Sequence, residues 1–180
     1  MKLWAAISQA MLGWIEIVRG DSDWRQHFVL TAPGLVTALL VFALAAFVGV
    51  ALASLEIGFP SLPGALAAML VLALPLLAFV LSVVGSRTLL KSPQPLLPLL
   101  VPGTYALTAF LLIEGLLAMF GGPLVMLSWL AIAYLLYRLL RAATDWPNAI
   151  AACSAVLSVV LLVGLRLALY MLSSAGGTTL

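Results

Sequence analysis

The sequence predicts an all-α membrane protein: a bundle of five transmembrane helices preceded by an N-terminal amphipathic helix at the membrane surface. The first observation is composition. Of the 180 residues, 65% are hydrophobic and 8% are charged, whereas a soluble domain has about 45–50% and about 25%. The second is that the apolar residues form long uniform runs, not the alternating segments of about ten residues that build a β-barrel. A soluble globular domain, a disordered chain and, with a net charge of only +2, a nucleic-acid-binding protein are excluded.

Residues 1–20 are predicted to form the amphipathic helix. Its bulky apolar residues recur at spacings of three and four, which places them on one face: Leu3, Trp4, Ile7, Met11, Trp14, Ile15 and Val18. We expect this helix to lie flat on the cytoplasmic leaflet, with Trp4 and Trp14 among the lipid headgroups. Packing of the same face beneath the bundle and docking of a partner helix are the alternatives. The segment 20–23 ends the helix, and Trp24 marks the interface where the first span begins.

Five segments of the remaining domain, residues 21–180, are long enough to cross about 30 Å of hydrocarbon, which needs roughly 20 residues. The predicted spans are 28–55, 62–84, 97–120, 123–140 and 149–172. Short clusters of glycine, proline and polar residues separate them, as is typical of turns between helices. Pro75 predicts a kink in the second span, and the proline-rich run 92–98 predicts an extended entry to the third. Residues 102–105, Pro-Gly-Thr-Tyr, are expected to form a flexible point within the third span.

The charged residues predict the orientation of the spans. Basic residues precede the first span, follow the second and follow the fourth: Lys2, Arg19, Arg25, Arg87, Lys91, Arg138 and Arg141. Because basic residues concentrate on the cytoplasmic side, these three segments are cytoplasmic. An odd number of crossings follows, with the N-terminus in the cytoplasm and the C-terminus outside. The abundance of alanine and leucine and the short loops indicate a bacterial inner membrane, which makes the outer side periplasmic.

Glu114 and Arg166 are the charged residues predicted to lie deepest in the spans. Each lies six residues before the outer end of its span, which is roughly 9 Å below the outer surface at 1.5 Å per residue. The two spans run in the same direction, so we expect the side chains to form an intramembrane ion pair. A charge at this depth is costly unless it is paired or hydrated. A structural pair that fixes helix register is the favoured interpretation, and a gated polar site for an ion, a proton or an anionic lipid is the alternative.

Two further patterns concern packing and anchoring. Small residues four apart, Ala45, Gly49 and Ala53 in the first span and Ser154 and Ser158 in the fifth, allow close helix contact. Packing within the bundle is the favoured interpretation of these rows, with contact to a neighbouring subunit as the alternative. An aromatic and basic cluster at the end of the fourth span is typical of interfacial anchoring; it consists of Tyr137, Arg138, Arg141 and Trp146, and binding of anionic headgroups is a further option there.

No catalytic or cofactor site is predicted. One cysteine, Cys153, and one histidine, His27, cannot supply the usual zinc spacings. The nucleophile elbow, the zinc-protease pair and the phosphate-binding loop are absent from the sequence, and no acidic cluster suits magnesium. We therefore expect no enzyme activity, no cofactor and no metal.

The segment that enters the last span resembles the corresponding turn of bacterial members of the Yip (Ypt-interacting protein) family. This segment reads Tyr-Arg-Leu-Leu at 137–140 and Asp-Trp-Pro at 145–147, and the resemblance in layout extends from Phe28 to Leu172. It implies five spans, a cytoplasmic N-terminus and a chain that ends just beyond the fifth span. In eukaryotes the family implies contact with small GTPases, a role that does not carry over to a bacterial chain.

The expected function is interaction within the membrane. The first hypothesis is a non-enzymatic scaffold, assembly factor or accessory subunit whose partners, besides the lipid bilayer, are helices of other membrane proteins. The second is a small transporter or channel component built around Glu114 and Arg166. An enzyme acting on lipid is the third.

Overall fold

The protein consists of helices, as the sequence predicts. The computed structural model describes residues 2–58, 61–120 and 122–175, without the side chains of residues 2–3, 55–57, 122 and 173–175. Helices make up 87% of the structure, and the described residues contain no strand. In these described ranges a 3-10 helix at Ser22–His27 accompanies six α-helices: α1 Lys2–Arg19, α2 Ala32–Ile57, α3 Leu62–Leu89, α4 Leu97–Ala118, α5 Gly122–Ala143 and α6 Asn148–Ala175. The helices α2 to α6 are long and apolar enough to span a membrane, which confirms the predicted fold class.

The helix ends differ from the predicted span ends for local reasons. The first span was predicted from Phe28, but α2 begins at Ala32 because Thr31 caps it by accepting a hydrogen bond from the Gly34 backbone N–H. Pro33 in the first turn lacks the N–H that a helix start leaves unpaired. At the other ends, α3, α5 and α6 continue past the predicted limits, since backbone hydrogen bonding carries a helix into polar residues that hydropathy excludes.

Helix α4 holds the most interior position in the bundle. It packs extensively against α2 and α5, α5 packs against α6, and α6 packs along α3, while α2 and α3 contact each other sparsely. The chain is helical through residues 102–105, where the sequence predicted a flexible point. Gly103 permits a close approach of α3, because a Cβ there would overlap the buried ring of Phe79.

A cluster of serines joins α3 to α6. The Ser82 hydroxyl donates to the Ser154 carbonyl over 2.8 Å, and the Ser86 and Ser154 hydroxyls are 2.8 Å apart. The Ser158 hydroxyl donates to the same Ser154 carbonyl at 3.0 Å. All these side chains are buried, so the small-residue row of the fifth span lies inside the bundle. Small polar residues suit this contact because they let two backbones approach and still satisfy their own hydroxyls.

Helix α1 is docked on the bundle by one of its faces. Ala10 and Ile17 are buried, and a Cβ at Gly13 would overlap the ring of Phe28. The Trp14 indole Nε1 donates to the Pro102 carbonyl of α4 at 3.1 Å. The adjacent apolar strip of the same helix is exposed and consists of Trp4, Met11, Ile15 and Val18. The amphipathic helix thus packs on the protein with one strip and leaves the neighbouring strip, called the apolar strip below, exposed.

Candidate functional site

Three helices bring polar side chains together around Glu114. The carboxylate lies on the buried face of α4, and Arg166 of α6 binds it with both terminal nitrogens. Arg166 Nη1 lies 2.6 Å from Glu114 Oε1, and Nη2 lies 2.8 Å from Oε2. The Trp129 indole of α5 donates to Oε1 over 2.9 Å. The structure therefore places the two charges predicted at matching depth in direct contact, with a tryptophan as third member.

The geometry of this cluster is that of a closed ion pair. The side chains of Glu114 and Arg166 are 11% and 25% exposed. Both carboxylate oxygens accept hydrogen bonds in the paired, planar arrangement that is strongest for arginine and carboxylate. The attraction between the two charges offsets the free energy of removing them from water. The pair links α4 to α6, and the hydrogen bond from Trp129 links α5 to the same carboxylate. Chemically, this arrangement can hold three helices in register.

The sequence interpretation missed Trp129, although a signal for it existed. The glycines at 121 and 122 predict a turn in the sequence, so a residue a given number of positions before them should have a neighbour at the same depth after them. Glu114 lies seven positions before residue 121, and Trp129 lies seven positions after residue 122. An indole N–H opposite a buried carboxylate is a ready donor, since a buried indole usually has a hydrogen-bond partner.

The predicted interfacial anchors divide into exposed and buried residues. Trp4 is 77% exposed and Arg141 is exposed, whereas Trp14, Tyr137 and Arg138 are half-buried. Trp24, predicted to mark the lipid interface, is only 2% exposed and packs edge-to-face on Phe28 at 6.1 Å between ring centroids.

Trp146 is the second predicted anchor that the protein buries. Its Nε1 donates to the Ser92 hydroxyl at 3.4 Å, and its carbonyl accepts from Arg141 Nη1 at 2.8 Å. The indoles of Trp24 and Trp146 therefore contact protein instead of lipid. The physical reason is that the 3-10 helix packs against α1 and the loop before α6 bonds to Arg141 and Ser92, contacts that hydropathy does not record.

Polar side chains also fasten α1 to the rest of the chain. Arg138 of α5 donates through Nε and Nη2 to the Ile17 carbonyl at the end of α1, at 3.4 and 3.1 Å. A cation at this point complements the negative end of the helix dipole. His27 lies with Nδ1 2.8 Å from Gln9 Oε1 and Nε2 3.0 Å from Glu16 Oε1. These contacts clasp α1 against both the 3-10 helix and α5.

Two cavities lie at the end of the bundle that carries the basic residues. The larger, of about 540 Å³, lies between the end of α1, the 3-10 helix, the end of α5 and the start of α6. We call it the basic cavity; it is lined by Ile17, Gly20, Asp21, Ser22, Trp24, Arg25, Tyr137, Arg138, Arg141, Ala142 and Asn148. The smaller is mostly apolar, has about 260 Å³ and lies between α3 and α6 beside Cys153. Neither is lined by Glu114 or Arg166.

In the part of the chain that the structure describes, no group of three or more histidine, cysteine, aspartate or glutamate side chains could hold a metal ion. Comparison with known proteins gives no match to any family model, curated protein or solved structure.

Proposed function

We propose that the chain is a non-enzymatic membrane protein that acts through helix contacts, as a scaffold, assembly factor or accessory subunit of a membrane complex. The observation that carries the proposal is a helix face on α2 that changes from buried to exposed. Ala38, Phe42 and Ala46 are buried along one face. Gly49 and Ala53 continue the same face at helical spacing, yet both are exposed.

This exposed row differs from the expectation that small residues of the first span serve internal packing. Gly49 lies beside Leu72 of α3, a helix that contacts α2 only sparsely. A Cβ at Gly49 would meet only Leu72 Cδ1, at 3.8 Å, so the backbone is open to close approach. In membranes, helix association depends on such approach and not on apolarity, because lipid is as apolar as leucine. A transmembrane helix of another protein is the partner that this chemistry suits.

The state of the Glu114 cluster supports interaction over transport. A transport site must exchange a ligand, whereas both oxygens of this carboxylate are occupied by Arg166 and one also by Trp129. We propose that the cluster is structural. The test is a measurement of ion or proton flux in liposomes. Neither the unmodified chain nor Glu114→Gln should raise the flux above that of protein-free vesicles. Flux through the unmodified chain that the substitution abolishes would instead establish the transport alternative.

We propose further that the chain lies in a bacterial inner membrane with a cytoplasmic N-terminus and a periplasmic C-terminus. The confinement of basic residues to alternate segments supports this orientation, and the five-span layout is the one that resembles the Yip family. A reporter active only in the periplasm and fused after Leu180 should be active. A silent periplasmic reporter together with an active cytoplasmic one would overturn the orientation.

The contact proposal is tested with a matched pair of glycine variants. Gly49→Ile places a branched side chain on the exposed row of α2, and Gly164→Ile does the same at an exposed glycine of α6 that has open space around it. After mild extraction of native membranes, we expect the unmodified chain and Gly164→Ile to migrate in a complex larger than 18.9 kDa of protein. Gly49→Ile should migrate alone. A lone monomer for the unmodified chain, or equal behaviour of both variants, would contradict the proposal.

A further inference from the structure

The basic cavity collects three arginines from segments that are far apart in the chain. Arg25 comes from the 3-10 helix, and Arg138 and Arg141 come from the end of α5. One carboxylate, Asp21, lines the same cavity, so the lining carries an excess of two positive charges. The sequence alone placed only the two α5 arginines together. Folding adds the third by placing the 3-10 helix and the end of α5 around the same cavity.

These guanidinium groups are not neutralised by carboxylates. Among the described residues Arg166 forms a salt bridge with Glu114 and His27 contacts Glu16, and neither contact involves an arginine of the cavity. Arg138 and Arg141 are instead held by backbone carbonyls, of Ile17 and Trp146. Such bonds fix Arg138 and Arg141 in place but do not neutralise their charge. A cluster of guanidinium groups with an excess of positive charge is an arrangement that binds phosphate, because the planar fork of arginine matches two phosphate oxygens.

Neutral hydrogen-bond donors also line the cavity and can contribute to the binding of a phosphate. The Tyr137 phenol and the Asn148 amide border the cavity and can each donate a hydrogen bond to an anionic oxygen. A volume of about 540 Å³ falls within the range of ligand-binding cavities and exceeds what a phosphate alone needs. There is room for a phosphate and the polar part of a headgroup attached to it.

We infer that the basic cavity binds the phosphate of an anionic phospholipid. Two observations favour a lipid as the source of the phosphate. The cavity lies at the end of the bundle that bears the basic residues, where the spans leave the hydrocarbon. The helix that forms one wall, α1, carries the apolar strip, which suits contact with acyl chains beside the headgroup. Basic pockets between helices at the cytoplasmic side suit anionic headgroups for the same electrostatic reason.

The inference requires no partner protein, so its test is independent of the proposed scaffold function. The purified full chain is placed in phosphatidylcholine nanodiscs with and without phosphatidylglycerol, and bound lipid is counted by native mass spectrometry after release. The variants are Arg25→Gln and Arg141→Gln, with Arg19→Gln as the control. Arg19 is an exposed arginine at the end of α1 that does not line the cavity, so the control removes the same charge.

We expect retention of phosphatidylglycerol by the unmodified chain and by Arg19→Gln, and affinity about fivefold weaker in each cavity variant, since one arginine near a membrane surface contributes about 1 kcal/mol. Arg141→Lys should recover part of the loss, because the charge remains and the fork does not. Arg25 is exposed and its guanidinium lies 5.4 Å from the centre of the Trp24 ring, so its replacement leaves the core intact. An unchanged circular dichroism spectrum checks that each variant is folded.

Two results would overturn the inference. An equal loss of phosphatidylglycerol affinity in Arg19→Gln and in the cavity variants would mean that the lipid binds through the overall surface charge and not in the cavity. Competition by inorganic phosphate at the concentration of the lipid would mean that the cavity takes a soluble phosphate instead of a headgroup.

Discussion

Breaking the Glu114–Arg166 pair from either side should have unequal costs, and breaking it from both sides should restore much of the stability. Arg166→Gln leaves a carboxylate that is 11% exposed with the Trp129 indole as its remaining donor. Loss of one partner from a buried pair costs about 3–5 kcal/mol, so we expect about 3 kcal/mol for this change. Glu114→Gln should cost about 1–2 kcal/mol, because the amide oxygen still accepts from Trp129 and the guanidinium, 25% exposed, can extend toward water.

The double variant removes both charges and leaves two amides that can hydrogen-bond to each other. We expect it to cost about 2 kcal/mol, less than Arg166→Gln alone, which corresponds to a coupling energy of about 2–3 kcal/mol against the summed costs of the single variants. The assay is reversible unfolding in mixed micelles, followed by circular dichroism as the fraction of denaturing detergent rises. Arg19→Gln, an exposed charge change, serves as the control and should stay within about 0.5 kcal/mol of the unmodified chain. Single costs that add to within about 0.5 kcal/mol in the double variant would refute the reasoning, because independent sites behave in that way.

Two further substitutions test the packing of α4. Gly103→Ala should destabilise the chain by about 1–3 kcal/mol, because the new methyl group overlaps the Phe79 ring. Its matched control is Gly115→Ala on the same helix, where the new methyl group meets no atom within 4 Å. In the same unfolding assay this control should be neutral or stabilising by up to about 1 kcal/mol. Trp14→Phe removes the hydrogen bond from α1 to the Pro102 carbonyl, at a cost of about 0.5–1.5 kcal/mol. We expect faster amide hydrogen exchange that is confined to α1. Unchanged exchange in α1 would show that the bond does not hold this helix.

Features that depend on one helix at a time could be predicted from the sequence, whereas contacts that depend on how two helices are rotated against each other could not. The five apolar helices followed from composition and length, because a helix in hydrocarbon must satisfy its own backbone hydrogen bonds. The contact between Glu114 and Arg166 could also be predicted, since depth in a membrane is nearly a linear function of position along a helix. The approach of the Phe79 ring to Gly103 was not accessible, because it depends on which face of α3 is turned toward α4.

The buried tryptophans show where hydropathy misleads. Trp24 and Trp146 have the composition context of interfacial anchors, yet both rings are enclosed by protein. Hydropathy reports how deep a residue lies and not whether lipid or protein surrounds it. The same ambiguity affected Gly49, which was expected inside the bundle and is exposed.

By itself, the sequence determined the fold class and the number of apolar helices, because both are set by free energies of transfer that act residue by residue. The tertiary structure alone decided which surfaces face protein: the docked face of α1, the exposed row on α2, and the convergence of Arg25 with the arginines of α5. Helix packing in a bundle depends on rotation about each helix axis. Apolar residues surround these spans on every side, and such a pattern fixes depth but not rotation.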